Sequence, residues 1–294
     1  MSLVHPQLAA FTAILEEGSF EAAAAKLSVT PSAISQRIRA LEDRLGQALV
    51  VRTSPCRPTP AGERLLRRVR PMQVLEHEAL ADFEPAGVAA RPIPIAVNAD
   101  SLHTWFIEAL ATLHRAHGLL FDLQVDDQDH TLELLRDGSV LGAVTAVGQA
   151  IQGCNVRLLG AMRYLAIASP GFARRYFPQG MDAASLAAAP MVVFNRKDDL
   201  QWRFLRRITR ARIAPPLHYI PSATGFVDAA ALGLGWCMVP EALARPAIAS
   251  GRTVQLEPDR WLDVPLYWQH AAVPSTTLEL LGRAFDAAAG QQLR

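Results

Sequence analysis

The chain is 294 residues long, half of its residues are apolar, and its formal net charge is +1. This length exceeds what a lone DNA-binding motif needs and predicts two or more domains with sizeable cores. The charge is unevenly spread, because residues 37–70 hold nine arginines against three acidic residues, a basic patch suited to nucleic acid. The three cysteines are far apart, which argues against a disulfide framework and a structural zinc site. With no signal segment and no apolar run long enough to span a bilayer, the sequence predicts a cytoplasmic protein without membrane association.

The first part of the chain predicts three short helices. Residues 5–17 carry apolar side chains at helical spacing, and a second, Ala-rich helix covers residues 20–27. Thr30 and Pro31 then mark the start of a third helix, because Thr caps free N–H groups and Pro is well tolerated at the first helical position. The apolar stripe of this third helix consists of Ile34, Ile38, Leu41 and Leu45. Two short helices joined by a tight turn are typical of a DNA-reading helix-turn-helix, and the alternative is an ordinary helical hairpin of an enzyme.

The polar face of the third helix and the segment after it supply the predicted DNA contacts. After Gly46, two short β-prone pieces surround a turn at Ser54 and Pro55, which predicts a wing beside the DNA. We expect a proline to abut the DNA, small polar side chains to face base edges, and arginines to contact phosphates or the minor groove. The candidate DNA-binding residues are Thr30, Pro31, Ser32, Ser35, Gln36, Arg39, Arg52 and Arg57.

From residue 61 onward the helical pattern returns and predicts a long linker helix. Its apolar stripe consists of Leu65, Val69, Met72, Ala79 and Phe83. A helix that extends past its domain with one apolar edge usually packs against a partner helix, so the sequence predicts a dimer here. Pro71 lies inside this stretch and removes a backbone hydrogen bond, so either the helix bends there or the dimer contact is split in two.

This order of parts resembles the LysR-type transcriptional regulators. The matching residues run from Phe20 to Arg52 and read FxxAAxxLxVTPSAISQRIRALEDRLGxxLVVR. The segments VRTSPCRPTPAGERLL, AVNADSLHTWF and LQVDDQD are similar to the branch that regulates export and metabolism of basic amino acids, the ArgP or LysG type. The resemblance covers essentially the whole chain. It implies a winged helix-turn-helix, a linker helix and a two-lobed α/β effector domain like that of periplasmic binding proteins, with double-stranded promoter DNA and RNA polymerase as partners and a homodimer or homotetramer as the assembly.

After a plausible hinge at residues 84–91, short apolar segments alternate with helical ones, which is typical of an open α/β sheet. The predicted strands cover residues 93–97, 120–125, 141–146, 164–169, 191–194, 217–220, 236–239 and 266–270, and a final helix covers residues 275–291. Residue 164 begins a second series of strands, and the last strand returns to the first series. The predicted division is a DNA-binding domain (1–59), a linker helix with hinge (60–90) and an effector domain (91–294), with lobe I at 91–163 and 266–294 and lobe II at 164–265.

Polar side chains follow several of these strands. Ligands of open α/β sheets bind beyond the carboxyl ends of strands, and a free helix N-terminus there binds carboxylates. Asp100 or Ser101 is expected to cap such a helix, and the surrounding aspartates suit a zwitterion with an additional cation. L-lysine and L-arginine have that shape, so we expect one of them as a small-molecule effector and no other cofactor. The candidate ligand-binding residues are Asn98, Asp100, Ser101, Thr104, Trp105, Asp126, Asp127, Thr145, Asn195, Asp198, Asp199 and Ser222.

These candidates have local interpretations as well. An aspartate after a strand is most often a helix cap or turn former, and Trp105, expected to wall the pocket, sits on a helix where Trp is usually a core residue. A metal site at Asp126, Asp127 and His130 is disfavoured, because adjacent carboxylates point apart on an extended chain and no second histidine lies at ligand spacing. No nucleophile elbow or phosphate-binding loop occurs, so the sequence predicts that the chain is not an enzyme.

The sequence therefore predicts a DNA-binding transcriptional regulator that senses lysine or arginine, and the resemblance implies control of genes such as an amino-acid exporter. Two alternatives stay open. One is a regulator of the same family whose ligand is another small metabolite, such as an organic acid, in which case Arg157, Arg163 or Arg203 should pair with the acidic strand ends. The other is a ligand-independent architectural DNA binder.

Overall fold

Three helices and a small hairpin form the first domain in the computed structural model, which describes residues 5–80, 83, 92–126 and 130–294. The helices are α1 (Pro6–Glu17), α2 (Phe20–Lys26) and α3 (Pro31–Leu45), and the hairpin pairs β1 (Val50–Val51) with β2 (Arg57–Pro58) antiparallel. The helices enclose one apolar core in which Ile34 and Ile38 are fully buried. The predicted winged helix-turn-helix is confirmed. Leu45 departs from the predicted stripe, because it is the last residue of α3 and is 43% exposed.

The linker helix α4 (Pro60–Leu80) is continuous through Pro71, which is buried. Leu66 and Val69 are its buried apolar side chains, whereas Met72 is 46% exposed. Phe83 lies beyond the helix and is 82% exposed, so the predicted stripe holds only in part. The difference arises because the buried edge of α4 faces two domains of its own chain. A partner helix would have to use the other edge.

The effector domain alternates strands and helices as predicted. Its elements in chain order are β3 (Ile93–Asn98), α5 (Ala99–Ser101), a π-helical turn (Leu102–Phe106), α6 (Ile107–His117), β4 (Phe121–Asp126), α7 (His130–Arg136), β5 (Gly142–Thr145), β6 (Cys154–Ala168), α8 (Pro170–Tyr176), α9 (Ala183–Ala188), β7 (Met191–Val193), α10 (Leu200–Ile208), β8 (Leu217–Tyr219), α11 (Ala223–Ala231), β9 (Cys237–Pro240), α12 (Glu241–Ala249), β10 (Val254–Gln255), β11 (Leu262–Ala271) and α13 (Thr276–Gln292).

These strands form a mixed sheet with the order β10-β6-β11-β5-β3-β4, in which β9 also pairs with β6. β3 runs parallel to β4 and β5, and β7 runs parallel to β8. A single bridge between Met191 and Trp236 joins the β7–β8 pair to the strand that begins at Cys237. The parallel strands place the carboxyl ends of β3 and β4 at the same edge, where ligands of such sheets bind.

Two long antiparallel strands cross from one lobe to the other. Residues 154–164 of β6 pair with β11, and residues 164–168 pair with β9 and β10. Tyr164, at the crossing point, lies opposite both Leu262 and Pro240. β6 begins at Cys154, ten residues before the predicted start at residue 164. The prediction missed this part of the strand because polar and apolar side chains are mixed there, with no continuous apolar run.

The largest core lies between the sheet and its covering helices, and Trp105 is fully buried in it. Its ring packs edge-on against Phe106 and Phe285, with centroid distances of 5.5 and 6.3 Å. Trp105 is therefore a core residue. The expectation that it walls a pocket is not met, because the π-helical turn directs its side chain toward α13. In the described parts of the chain, no helix has both the length and the apolar character needed to cross a membrane.

Candidate DNA-binding surface and effector cleft

Local capping fixes both ends of α3, the candidate recognition helix. The Thr30 hydroxyl accepts a hydrogen bond from the Ala33 backbone N–H at 3.2 Å, and Pro31 occupies the first turn. Gly46 ends the helix with a φ of 66°, a left-handed conformation that glycine adopts without strain. Because one face of α3 is buried in the core, the opposite face is presented to solvent.

The predicted base-reading residues lie on that free face. Thr30, Pro31, Ser32, Gln36 and Arg39 are exposed, and Ser35 is half-buried. The hydroxyl oxygens of Thr30 and Ser32 are 2.9 Å apart at the start of the helix. Among the described residues, Arg39 has no ion-pair partner, so its guanidinium is available to an external anion.

The wing is held against the helix-turn-helix by contacts at both of its strands. Glu42 of α3 accepts the Leu49 backbone N–H at 2.7 Å, and the carbonyl of Gly18 accepts the Cys56 N–H at 2.7 Å. The Arg52 guanidinium stacks over the Phe20 ring at 4.8 Å from its centroid. Arg52 and Arg57 are both exposed. The wing therefore presents two cations from a fixed position beside the first helix of the motif.

A cleft of about 460 Å³ lies between the two lobes of the effector domain. From lobe I it is lined by residues at the end of β3 and the start of α5, and from lobe II by the β7–α10 connection and by residues of α10, α11 and β9. Three aspartates and two cationic side chains line it, together with apolar residues. The charged lining residues are Asp100, Lys197, Asp198, Asp199 and Arg203.

Asn98 and Asp100 form the lobe I wall of this cleft. The Asn98 side-chain oxygen accepts the Ser101 N–H at 2.9 Å, so Asn98 is the helix cap that had been expected at Asp100 or Ser101. The buried Nδ2 of Asn98 has no hydrogen-bond partner among the described residues. The Tyr164 hydroxyl donates to the Asp100 carboxylate at 2.7 Å. Burial raises the pKa of Asp100 to about 6, against the opposing effect of the Tyr164 hydrogen bond.

Asp198 stands on the lobe II wall and also shapes its own loop. Its two carboxylate oxygens accept the backbone N–H groups of Phe194, at 2.9 Å, and Leu200, at 3.1 Å. Burial nevertheless raises the pKa of Asp198. Asp199, in contrast, is exposed at the rim and lies 3.9 Å from Arg206. Asp198 therefore combines the turn-forming role with a position on the cleft.

Comparison with known proteins decides the family. A model of the bacterial regulatory helix-turn-helix protein, lysR family, matches residues 5–63, and a model of the LysR substrate binding domain matches residues 86–289. The chain belongs to the LysR family. This LysR-family chain is thus a DNA-binding transcriptional regulator and not an enzyme, and its helix-turn-helix is the part that binds DNA. Among the described residues, no group of three or more His, Cys, Asp or Glu side chains is placed to hold a metal ion.

Three relatives match this LysR-family chain over nearly its whole length. The crystal structure of ArgP from Mycobacterium tuberculosis has 46% identity, a TM-score of 0.89 and 99% coverage of both chains. Full-length LysG from Corynebacterium glutamicum with bound effector Arg has 40% identity, a TM-score of 0.78 and 98% coverage of both chains. The lysine export transcriptional regulatory protein LysG of Corynebacterium efficiens is 42% identical over 96% of each chain. The expected similarity to the LysG and ArgP branch is therefore confirmed.

Five predicted ligand residues of this LysR-family chain line the cleft, namely Asn98, Asp100, Asn195, Asp198 and Asp199. Four others lie behind its walls. Thr145 is buried at the end of β5, where its hydroxyl accepts the Val147 N–H, and the Ser222 hydroxyl caps α11. Ser101 is buried, and the Thr104 hydroxyl bonds back to the Asp100 carbonyl at 2.7 Å. These four side chains are engaged or enclosed by their own elements and do not line the cleft.

The structure describes only one of the two predicted ligand aspartates near the end of β4. Asp126 ends β4 opposite Asn98 in the parallel ladder, and Asp127 lies outside the described residues. Sequence analysis missed Tyr164 and Phe226, a residue of α11 in the lobe II wall. Their signal is long-range, since Tyr164 meets Asp100 only through the crossing of β6 between the lobes, and no local pattern marks it.

Proposed function

We propose that this regulator holds L-arginine or L-lysine in the effector cleft and that the bound amino acid changes its action at promoter DNA. The observation that carries the proposal is the pair of Asp100 and Asp198, which line one cleft from opposite lobes. Neither forms a salt bridge with a described cationic side chain. A ligand cation would supply that missing partner, and a charge-assisted hydrogen bond to a partly buried carboxylate contributes about 1.5 to 3 kcal/mol.

The other end of an amino acid also finds complementary groups. The unpaired Nδ2 of Asn98 is a donor at the cleft wall, and Arg203 lines the same cleft from α10. Both suit the α-carboxylate. A zwitterion with a distal cation therefore matches donors and acids that the cleft presents together. LysG from C. glutamicum, 40% identical, has been solved with the effector Arg bound, which supports arginine as the first ligand to test.

The organic-acid alternative is less well supported by the positions of the internal arginines. Arg157 forms an ion pair with Asp286, and Arg163 forms a two-pronged one with Asp263 at 2.9 and 3.1 Å. Neither arginine neutralises an acid of the cleft. Arg203, the third of these arginines, does line the cleft, where it and Lys197 lie beside three aspartates. The excess of acids over cations favours a cationic ligand over an anionic one.

We infer a population-shift mechanism for the response. A ligand that touches Asp100 on lobe I and Asp198 on lobe II favours the closed arrangement of the lobes, and it shifts the equilibrium only by its difference in affinity for the two arrangements. In a homodimer or homotetramer built on α4, lobe closure would re-space the two copies of α3 on promoter DNA. Contacts with RNA polymerase and control of an amino-acid exporter gene belong to the same proposal.

Isothermal titration calorimetry on the full-length protein tests the ligand assignment. L-arginine and L-lysine are compared with L-citrulline and L-norleucine, which keep the α-amino and α-carboxyl groups but lack the distal charge. We expect the basic amino acids to bind at least about tenfold more tightly, since one charge-assisted bond separates them from the neutral pair. Absence of heat with both basic amino acids, or equal binding of citrulline and arginine, contradicts the proposal.

A further inference from the structure

A second cavity lies where the linker helix meets lobe I. Its volume is about 360 Å³, and it shares no lining residue with the effector cleft. One wall is the first half of α4, which contributes Arg64, Arg67, Arg68 and Arg70. The other wall belongs to lobe I and comes from the α7–β5 connection and the start of β6. We call this space the arginine cavity.

The charge of this lining is unusual, because its described residues include four guanidinium groups and no acid. Arg70 is the most enclosed of them, with its side chain 15% exposed and one nitrogen 3.6 Å from Glu16. The buried Nε of Arg70 has no partner in the described part of the chain. Within the described residues, the side chains of Arg67 and Arg68 form no salt bridge or hydrogen bond, while Arg64 donates to the Gln47 side chain at 3.1 Å.

Close backbone contact fixes the position of Arg67 in this cavity. Gly138 of lobe I has a φ of +80°, and a Cβ added to it would lie 2.6 Å from the backbone nitrogen of Arg67. The lobe therefore touches the backbone of α4 at this residue. The charge of Arg67 also reaches Cys154 on the opposite wall, where it counteracts the rise in thiol pKa caused by burial. Arg67 thus faces into the space between helix and lobe.

Arg70 already has Glu16 as an acidic neighbour, but Arg64, Arg67 and Arg68 form no salt bridge within the described residues. Their like charges around a partly enclosed space repel one another, and an anion would relieve that repulsion. Guanidinium groups bind phosphate oxygens through paired, planar N–H donors. We propose that the arginine cavity is a binding site for a small anion that carries a phosphate group. The occupant is either free phosphate or a small phosphorylated metabolite, because a DNA duplex does not fit into 360 Å³ and cannot approach the enclosed Nε of Arg70.

This site would act on the joint between the two domains. An anion held by α4 on one side and by lobe I on the other would fix the linker helix to the effector domain, whatever occupies the effector cleft. The proposal is thus independent of the identity of the effector.

Titration of the full-length protein with inorganic phosphate, without DNA and at constant ionic strength, tests the proposal by calorimetry. We expect saturable binding in the wild type, weakened about tenfold or more in Arg67→Gln and in Arg68→Gln. These two side chains form no hydrogen bond or salt bridge within the described residues, so the variants should fold, as checked by thermal unfolding in chloride buffer. Arg115→Gln on α6, an equal loss of charge outside the cavity, should bind phosphate as the wild type does.

Two results would overturn the proposal. One is the absence of saturable phosphate binding, or equal affinity in wild type, Arg67→Gln and Arg68→Gln. The other comes from the salt dependence of DNA binding: a slope of log Kd against log salt that falls by about 1 in Arg67→Gln would assign this arginine to a DNA phosphate. An unchanged slope, together with unchanged L-arginine binding by Arg67→Gln, supports a small-anion site separate from both DNA and effector.

Discussion

The two cavities of this regulator have opposite charge and opposite construction. The effector cleft is lined by acids and donors from several elements, with Asp100 and Asp198 brought together from residues nearly a hundred positions apart in the chain. The arginine cavity takes all of its charge from a seven-residue stretch of one helix, residues 64–70. The first suits a ligand with a cationic end, and the second suits an anion.

The arginines of the basic patch, residues 37–70, belong to two different surfaces in the structure. Nine arginines fall within residues 37–70, and four of them line the arginine cavity against lobe I. Arg39, Arg52 and Arg57 instead belong to the exposed face of α3 and to the wing. Arginine density alone therefore does not identify DNA contacts, since a helix that joins two domains directs its charge toward both of them.

Replacing Asp100 by Asn is the largest expected perturbation of the effector cleft. Asn keeps an acceptor for the Tyr164 hydroxyl but removes the negative charge, so L-arginine should bind about 10- to 100-fold more weakly by calorimetry. The effector-free protein should become more stable at pH 7, by up to about 3 kcal/mol, because it no longer carries an ionised buried carboxylate. Asp199→Asn, at the exposed rim of the same cleft, is the matched comparison and should lose less affinity. Unchanged L-arginine affinity in Asp100→Asn would contradict the role assigned to Asp100.

The pH dependence of effector binding is the next largest effect. Because the pKa of Asp100 is raised to about 6, the free protein loses this negative charge as pH falls from 7.5 to 5.5, and the affinity for L-arginine should fall about three- to tenfold. The groups that act on this carboxyl are Tyr164, Asp198 and His103. His103→Gln should retain the pH dependence and Asp100→Asn should lose most of it. A profile that is identical in wild type and Asp100→Asn would assign the titration to another group.

Arg52→Ala tests whether the wing arginines, and not those of the arginine cavity, contact DNA. If Arg52 on the wing neutralises one phosphate, its loss weakens binding to all DNA sequences and lowers the salt slope by about 1. Fluorescence anisotropy over a salt series measures both quantities, with Arg115→Gln as a charge-matched control on α6. An unchanged slope in Arg52→Ala would show that its stacking on Phe20, and not DNA, accounts for its position.

The parts of this molecule that depend on local patterns could be predicted from sequence. The cap at Thr30, the apolar stripe of α3 and the apolar strand runs each leave a signal within a few residues, and the structure has them near their expected places. The contact of Asp100 with Tyr164 and the burial of Trp105 against Phe285 depend on chain crossings that no local pattern records. The arginine cavity could not be predicted from sequence for the same reason, because its second wall comes from lobe I, far along the chain from α4.

The smallest expected effect concerns the attachment of α4 to the effector domain, on which the arginine cavity depends. Glu78 of α4 accepts hydrogen bonds from the Ser275 hydroxyl at 2.6 Å and from the Thr277 N–H at 2.8 Å, at the start of α13. Burial alone would raise the pKa of Glu78, but these hydrogen bonds outweigh it and lower the pKa. The carboxylate therefore stabilises the fold above the ordinary Glu pKa, and this contribution is lost as pH falls through the lowered value.

Glu78→Gln should reduce the free energy of unfolding by about 1 kcal/mol at pH 7, the usual contribution of a helix cap, and by less in acid. Denaturant unfolding measures this difference, and the control is Glu279→Gln, which removes the charge of an exposed acid in the first turn of α13. If Glu78 holds α4 in place, its variant should also bind phosphate more weakly without losing any cavity arginine. Normal phosphate affinity in a destabilised Glu78→Gln variant would show instead that the contact of Gly138 with Arg67 is sufficient to dock the helix.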